Sequence, residues 1–403
     1  MRRLFYFLLF LACLASGIWI NSLGRYREVF RSICDLTEEH FYKADERLNA
    51  WVRSCRFEAA HLPLNASVET LLEAVQAQMS DMNVSHFQIY SPVEDRKLWK
   101  GETVDTGIRS RYIEDHLIVY KLYPDSAAEL AGVRLGDEIV ALPGSDQVTP
   151  FGAQRRSGEF SLKRGSQITK IKIEPKPLVI DSQPKLNDLG SGRAVLEISS
   201  FRSEFFNPTE WKKLVAKLKP YHHVIVDVRE NAGGNFVAML RALSTFRCRD
   251  QWVGSIFQPR KSLANKDRIA DNTSDQYQIA ELEKYRTIGL STFPHYECYQ
   301  GRVTVLVGPE TSSVAEIFAQ AMANRNRSRV WGQPTAGDVV LAVWYDLPKL
   351  GPGYSVSVPE AVYLTDEGKE LEGRGVYPER ELYYDLNLAL KGQDSWVVEA
   401  LNR

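Results

Sequence analysis

The sequence predicts a multidomain α+β chain, helical towards its N-terminal end and built of α/β layers towards its C-terminal end. Three observations carry that reading. Apolar residues recur at helical spacing between Tyr26 and Met82. Short β-branched runs bounded by turn residues fill 106–177, and from Ala194 onward buried strands alternate with amphipathic helices. That last alternation gives a sheet core covered by helices.

The chain has 403 residues, enough for two or three domains. Hydrophobic content is 44% and formal net charge −1, with no basic tail or stripe, which sets nucleic-acid binding aside. Residues 1–21 differ from the rest. Arg2 and Arg3 precede an apolar run from Leu4 to Ile20, broken only by Ser16 and Gly17, as in a signal peptide or short membrane anchor. Ala15-Ser16-Gly17 could serve as a cleavage site, and Cys13 is a weak lipidation candidate. The protein is therefore expected to be exported to a periplasm or cell envelope, with membrane attachment through its N-terminus as an option. Outside the leader stand Cys34, Cys55, Cys248 and Cys298. An even number in an exported chain suggests two disulfides, most simply 34–55 and 248–298, against the alternative of four buried free thiols. No spacing resembles a zinc site, and no metal is expected.

The helical part runs over 22–90. Val29, Phe30, Ile33 and Leu36, then Phe41, Leu48, Trp51 and Val52, mark one or two helices, and Ser67 to Met82 marks another. A β domain is expected over 105–177, with strands at His116–Leu122, Glu138–Leu142, Glu159–Leu162 and Thr169–Ile173. Between the first two strands, Ser126 opens a short helix and a Gly132-x-x-x-Gly136-Asp137 turn follows. This pattern resembles a PDZ domain. The resemblance implies that a partner peptide adds as a β-strand, with Gly107 and Ile108 in the loop that receives its carboxylate.

The polar stretch 175–192 reads as a linker. The α/β core is expected over 193–385, with strands Ala194–Ile198, His223–Val228 and Val303–Val307 and helices Pro208–Leu218, Val237–Phe246 and Ala315–Ala323. Residues 247–300 read as a polar insertion, a flap pinned by the second disulfide. Tyr354–Val358 and Ala361–Leu364 read as paired strands, and 386–403 as a tail helix.

Ser313 stands where a buried strand hands over to a helix, and a helix N-terminus favours negative charge developing beside it. It is a candidate nucleophile; with Glu316 it also fits a capping box. The strand ending at Asp227 runs into Arg229, Asn231 and the turn Gly233-Gly234, whose amides can approach a ligand closely.

Together these motifs, in the order β domain, Asp-x-Arg-x-Asn-x-Gly-Gly, Thr-Ser-Ser-x-Ala-Glu-Ile and Gly-Gln-Pro-Thr-x-Gly, resemble the serine peptidases that include the C-terminal processing (tail-specific) proteases and the tricorn-like proteases. The resemblance implies an α/β sandwich core of the ClpP/crotonase kind, with Ser313 as nucleophile and an oxyanion hole from the Val314 amide and one of the Gly233 and Gly234 amides. C-terminal processing proteases carry a lysine base shortly after the Pro-Thr-x-Gly turn; here Asp338 stands in its place. The tricorn-like branch uses a histidine preceded by serine and a glutamate before a Gly-Val-x-Pro turn. Ser85-His86 and Glu372 match those positions in order. An imidazole suits a base at neutral pH, with Ser85 and Glu372 orienting the groups. The expected activity is a serine endopeptidase acting on unfolded or C-terminal regions of proteins, with no metal or nucleotide cofactor. The alternatives are an inactive peptide-binding scaffold that lost the family lysine, and a hydrolase of non-peptide acyl groups.

Overall fold

The computed structural model describes residues 24–323 and 327–402; the expected leader at 1–21 lies outside them. Three helices open it: α1 (Arg25–His40), α2 (Glu46–His61) and α3 (Val68–Ser80). The Asp45 side chain accepts from the Leu48 amide and so starts α2. Cys34 and Cys55 join α1 to α2 with Cα atoms 5.8 Å apart. Phe30, Ile33, Trp51, Leu71 and Val75 form a core beneath these helices that also takes in Val356 and Val358 of a later strand. No helix among the described residues is long and apolar enough to cross a membrane.

After β1 (Gln88–Tyr90), α4 (Pro92–Lys100) and β2 (Glu102–Asp105) comes the β domain: β3 (Ile108–Ile113), β4 (His116–Leu122), α5 (Ala127–Leu130), β5 (Glu138–Ala141), α6 (Pro150–Arg155), β6 (Gly158–Arg164) and β7 (Gln167–Ile173). Its strands run in the order β3-β4-β5-β6-β7, all antiparallel, around Ile108, Val119, Phe160 and Leu162. The stretch expected as a linker carries two strands instead. These are β8 (Lys176–Val179), which pairs with β2, and β9 (Lys185–Asp188), which pairs with the next strand. Neither buries a full side-chain face, so neither leaves an apolar pattern to read.

The core continues with β10 (Arg193–Glu197), a 3₁₀ turn at Ser203–Phe206, α7 (Pro208–Ala216), β11 (His223–Asp227) and α8 (Phe236–Arg247). Next come β12 (Trp252–Phe257), β13 (Ala264–Lys266), α9 (Asp275–Lys284), β14 (Tyr285–Ser291), β15 (Arg302–Val307), α10 (Val314–Met322) and β16 (Ser328–Gly332). The chain closes with β17 (Leu341–Asp346), β18 (Ser355–Thr365), β19 (Arg380–Glu381), α11 (Leu386–Ala389) and α12 (Ser395–Leu401).

One sheet runs β19-β16-β15-β11-β10-β9, parallel except at β9. Val224 and Val226 face α8 and α10, while Ile225 and Leu306 pack with Trp396 of α12. Burial on both faces is why these strands read as continuous apolar runs.

The second sheet runs β1-β18-β12-β14-β13, with β17 also along β18. It corrects two expectations. Residues 247–300 are not a flap, because β12 and β14 are strands of this sheet and Val253, Ile256, Ile288 and Leu290 lie in the main core. The two strands expected over 354–364 are one, β18. It passes through Pro359 opposite Ala342, where the register of β17 shifts; a bulge lets proline sit in a strand. The expected tail helix is likewise two short helices, α11 and α12.

Candidate active site

The Ser313 turn is held from three sides. Thr311 Oγ1 donates to the Val228 carbonyl (2.9 Å) and accepts from the Gly308 amide (3.0 Å). The Ser312 amide donates to the Asn231 carbonyl (3.0 Å) and the Ser313 amide to the Asp338 carbonyl (2.9 Å). The backbone of Ser313 is bent to φ 59°, ψ −133°, a region that costs a non-glycine residue about 1–3 kcal/mol and tends to occur at functional sites.

Glu316, in the first turn of α10, is fully buried. Its carboxylate accepts from the amides of Ser313 (3.2 Å), Gly337 (2.7 Å) and Asp338 (2.8 Å) and from the Thr335 hydroxyl. Burial pushes its carboxyl above the usual range despite these donors. Beyond capping α10, Glu316 thus ties the Thr335–Asp338 loop to the Ser313 turn, a role the sequence reading of Glu316 as a cap does not include.

The glycine turn lies directly against Ser313. A Cβ on Gly233 would come within 2.5 Å of Ser313 Cβ, and Gly233 has φ 100°. A Cβ on Gly234 would meet the Phe201 carbonyl carbon at 2.6 Å. Asn231, fully buried, places the turn: its side chain donates to the Ile198 carbonyl (2.8 Å) and accepts from the Gly233 amide (2.8 Å). The Gly233 N–H is therefore already engaged. The amides of Gly234 and Val314 donate to no other group among the described residues, and they are the pair open to an oxyanion.

Ser85, His86 and Glu372 meet although 287 residues separate the first from the last. Glu372 accepts from the Ser85 amide (2.9 Å) and hydroxyl (2.9 Å) and from the amides of Val339 (2.7 Å) and Val340 (3.0 Å). The His86 carbonyl accepts from Ser357 Oγ of β18 (2.6 Å). His86 Nδ1 lies 3.0 Å from Ser85 Oγ. The Ser85 hydroxyl spends its proton on Glu372, so its oxygen accepts from Nδ1–H. That tautomer leaves the lone pair on Nε2. Burial holds the His86 pKa below its ordinary value, while Asp338 and Glu372 pull the other way. Burial likewise raises the Asp338 carboxyl, with His86 opposing. No hydrogen bond joins His86 to Ser313 among the described residues.

Gly107 and Ile108 lie apart from this cluster, at the start of β3. A cavity of about 380 Å³ separates the β domain from the core; it is lined by Arg111, Lys121, Arg229, Glu230 and Asp394 among others. Lys121 of β4 spans the boundary to Glu230, just before the glycine turn (2.6 Å). Cys248 and Cys298 are bonded, with Cα atoms 5.0 Å apart. No group of three or more His, Cys, Asp or Glu among the described residues is placed to hold a metal ion.

Residues 193–382 match the model of peptidase family S41. A probable CtpA-like serine protease of Staphylococcus haemolyticus is 22% identical over 293 residues, 70% of this chain and 53% of that relative. The chloroplastic carboxyl-terminal-processing peptidase 1 of Arabidopsis thaliana is 24% identical over 333 residues, 76% of this chain and 61% of its own length. The chain thus spans little more than half the length of such relatives. In fold it is similar to mature CPAF complexed with lactacystin, with a TM-score of 0.60 at 14% identity over 93% of this chain and 98% of that one. The segment over which the chain is similar to peptidase family S41 holds Asn231, Gly233, Gly234, Ser313 and Glu372, with Ser85 and His86 brought in from outside it.

Proposed function

We propose that the protein is an exported serine endopeptidase that cleaves unfolded segments of other proteins. Ser313 Oγ attacks the scissile carbonyl while His86 Nε2 takes its proton. The oxyanion is held by the amides of Gly234 and Val314. As the C–N bond breaks, Nε2–H protonates the leaving amine, and water repeats the cycle on the acyl-enzyme. Glu372 and Ser85 hold the imidazole by Nδ1 and stabilise its charged form. The observation that carries this reading is the chain of hydrogen bonds Glu372–Ser85–His86, which orients a neutral imidazole without the family lysine. Apo enzymes often hold base and nucleophile apart until substrate arrives, so the missing His86–Ser313 bond suits a resting site. Export is supported by the arginine-led apolar leader and by the bonded cysteine pairs. The β domain, PDZ-like in its sequence pattern, supplies an open edge strand for recruiting substrate.

Turnover of a fluorogenic unfolded protein such as labelled casein tests the reading. Ser313→Ala and His86→Ala should each lower kcat by roughly 10³-fold or more. Turnover that survives His86→Ala would remove His86 as the base. A wild-type protein that binds casein without cutting it would favour a scaffold, the reading to which Asp338 lends weight.

A further inference from the structure

The loop expected to receive a peptide carboxylate already holds one of its own. Asp105, at the end of β2, has a side chain only 2% exposed. It accepts from the Gly107 amide at 2.6 Å and from Arg109 Nη1 at 3.1 Å through one oxygen and 3.2 Å through the other. The next amide, Ile108, donates to Thr106 Oγ1 (3.2 Å). Arg109 also donates to the Ile108 carbonyl (2.8 Å), and its guanidinium lies 4.7 Å from the centre of the Tyr123 ring. The two amides and the guanidinium that could clamp a chain terminus are thus engaged within the domain. Gly107 has φ 87°, and a Cβ on it would collide with Ser126, the residue that caps α5, so the loop cannot relax towards that side.

The rest of the docking edge is open. β3 is the terminal strand of its sheet, α6 packs beside it, and Phe151 of α6 is 72% exposed. An extended chain can add to β3 through main-chain hydrogen bonds, but a terminal carboxylate at the loop would face the Asp105 carboxylate instead of free donors.

We propose that Asp105 makes the β domain select internal extended segments of substrate proteins rather than free C-termini. The proposal rests on the peptide-recruiting reading of that domain. It separates this chain from a reader of chain ends. A segment that continues past the loop carries no charge there, so Asp105 costs it nothing.

The test uses the full chain with Ser313→Ala, so that peptides are bound and not cut. Two fluorescent apolar peptides of one sequence, ending in a carboxylate or in a carboxamide, are compared by anisotropy. The expected ratio of their dissociation constants is within about twofold. Asp105→Asn keeps an acceptor for the Gly107 amide but removes the charge and frees Arg109. It should give a preference of roughly tenfold for the carboxylate, the scale of one charge-assisted hydrogen bond. A preference for the carboxylate of about tenfold already present with Asp105, or a ratio unmoved by Asp105→Asn, overturns the proposal. Photo-cross-linking of the carboxamide peptide reports on the underlying reading separately. Cross-links within 108–113 or 150–155 support it, and no binding or cross-links elsewhere overturn it. If the Asn variant does not fold, cleavage by wild type decides: a backbone-cyclised unfolded substrate should be cut within about twofold as fast as its linear form, and a tenfold preference for the linear form overturns the proposal.

Discussion

At Ser313 the backbone and the chemistry ask for opposite things. A serine gains nothing in stability from φ 59°, and the bend persists because Thr311, Asn231, Asp338 and Glu316 all bond the turn. Asp338 is the residue whose meaning changes most between sequence and structure. In the sequence it is only a missing lysine. In the structure its carbonyl holds the Ser313 amide, and its carboxylate favours the protonated form of His86. This fixes the sign of a pH effect. Asp338→Asn removes a charge that raises the His86 pKa, so the acidic limb of kcat/KM should move to lower pH while activity near neutrality persists. A limb that moves upward, or activity lost at every pH, would show that Asp338 does something else. Because the Glu372 charge, like that of Asp338, raises the His86 pKa against burial, Glu372→Gln should shift the limb the same way. It should also reduce kcat by roughly 10²-fold, since Ser85 then loses its charged anchor. Steady-state rates across about pH 4–8 check both.

Whether an element was legible in the sequence depended on how many of its faces are buried. β4, β11 and β15 stand within a residue of where their apolar runs place them, because the core strands among them are covered on both sides. β12 and β14 sit among polar turns between a disulfide and two short elements, so composition suggested an insertion outside the core. β12 pairs with β18 at 362–365 and β14 pairs in turn with β12, which makes both core strands, and no local window contains the β18 partner. The same distance separates Glu372 from its partners at Ser85 and Val339, so its role is expected from the family resemblance and not from any local pattern. This difference in placement has a measurable consequence. Ile256 of β12 is 1% exposed in the main cluster, so Ile256→Ala should cost about 2–5 kcal/mol in global unfolding, read from urea denaturation. A detached flap would leave the main transition unmoved. Gly233→Ala probes the facing element. Its Cβ has no room against Ser313, so turnover should fall by at least about tenfold as the turn is pushed from its place.

Across the whole molecule, chemistry is assembled at boundaries. His86, the proposed base, comes from the segment after the N-terminal helices, Ser313, the proposed nucleophile, from the end of a parallel strand, and Glu372 from the loop beyond β18, where only folding can unite them. The β domain has its own core and touches the glycine turn through Lys121 and Glu230. Each of these side chains is about a quarter exposed, and a charged cavity lies beside them. Burial alone would raise the Glu230 carboxyl, yet it is held below the usual range, with Lys121 as the first opposing cause. Lys121 in turn is raised despite burial, with Glu230 as the first opposing cause. Removing one partner should therefore cost more than removing both. Lys121→Met leaves a carboxylate unpaired one residue before Asn231, the side chain that sets the glycine turn, so kcat should fall along with stability. Lys121→Met with Glu230→Gln should recover part of both, giving a coupling of roughly 0.5–3 kcal/mol in a double-mutant cycle read by urea unfolding and by kcat. Strict additivity would mean that the pair is a surface contact and that the β domain reaches the glycine turn by some other route.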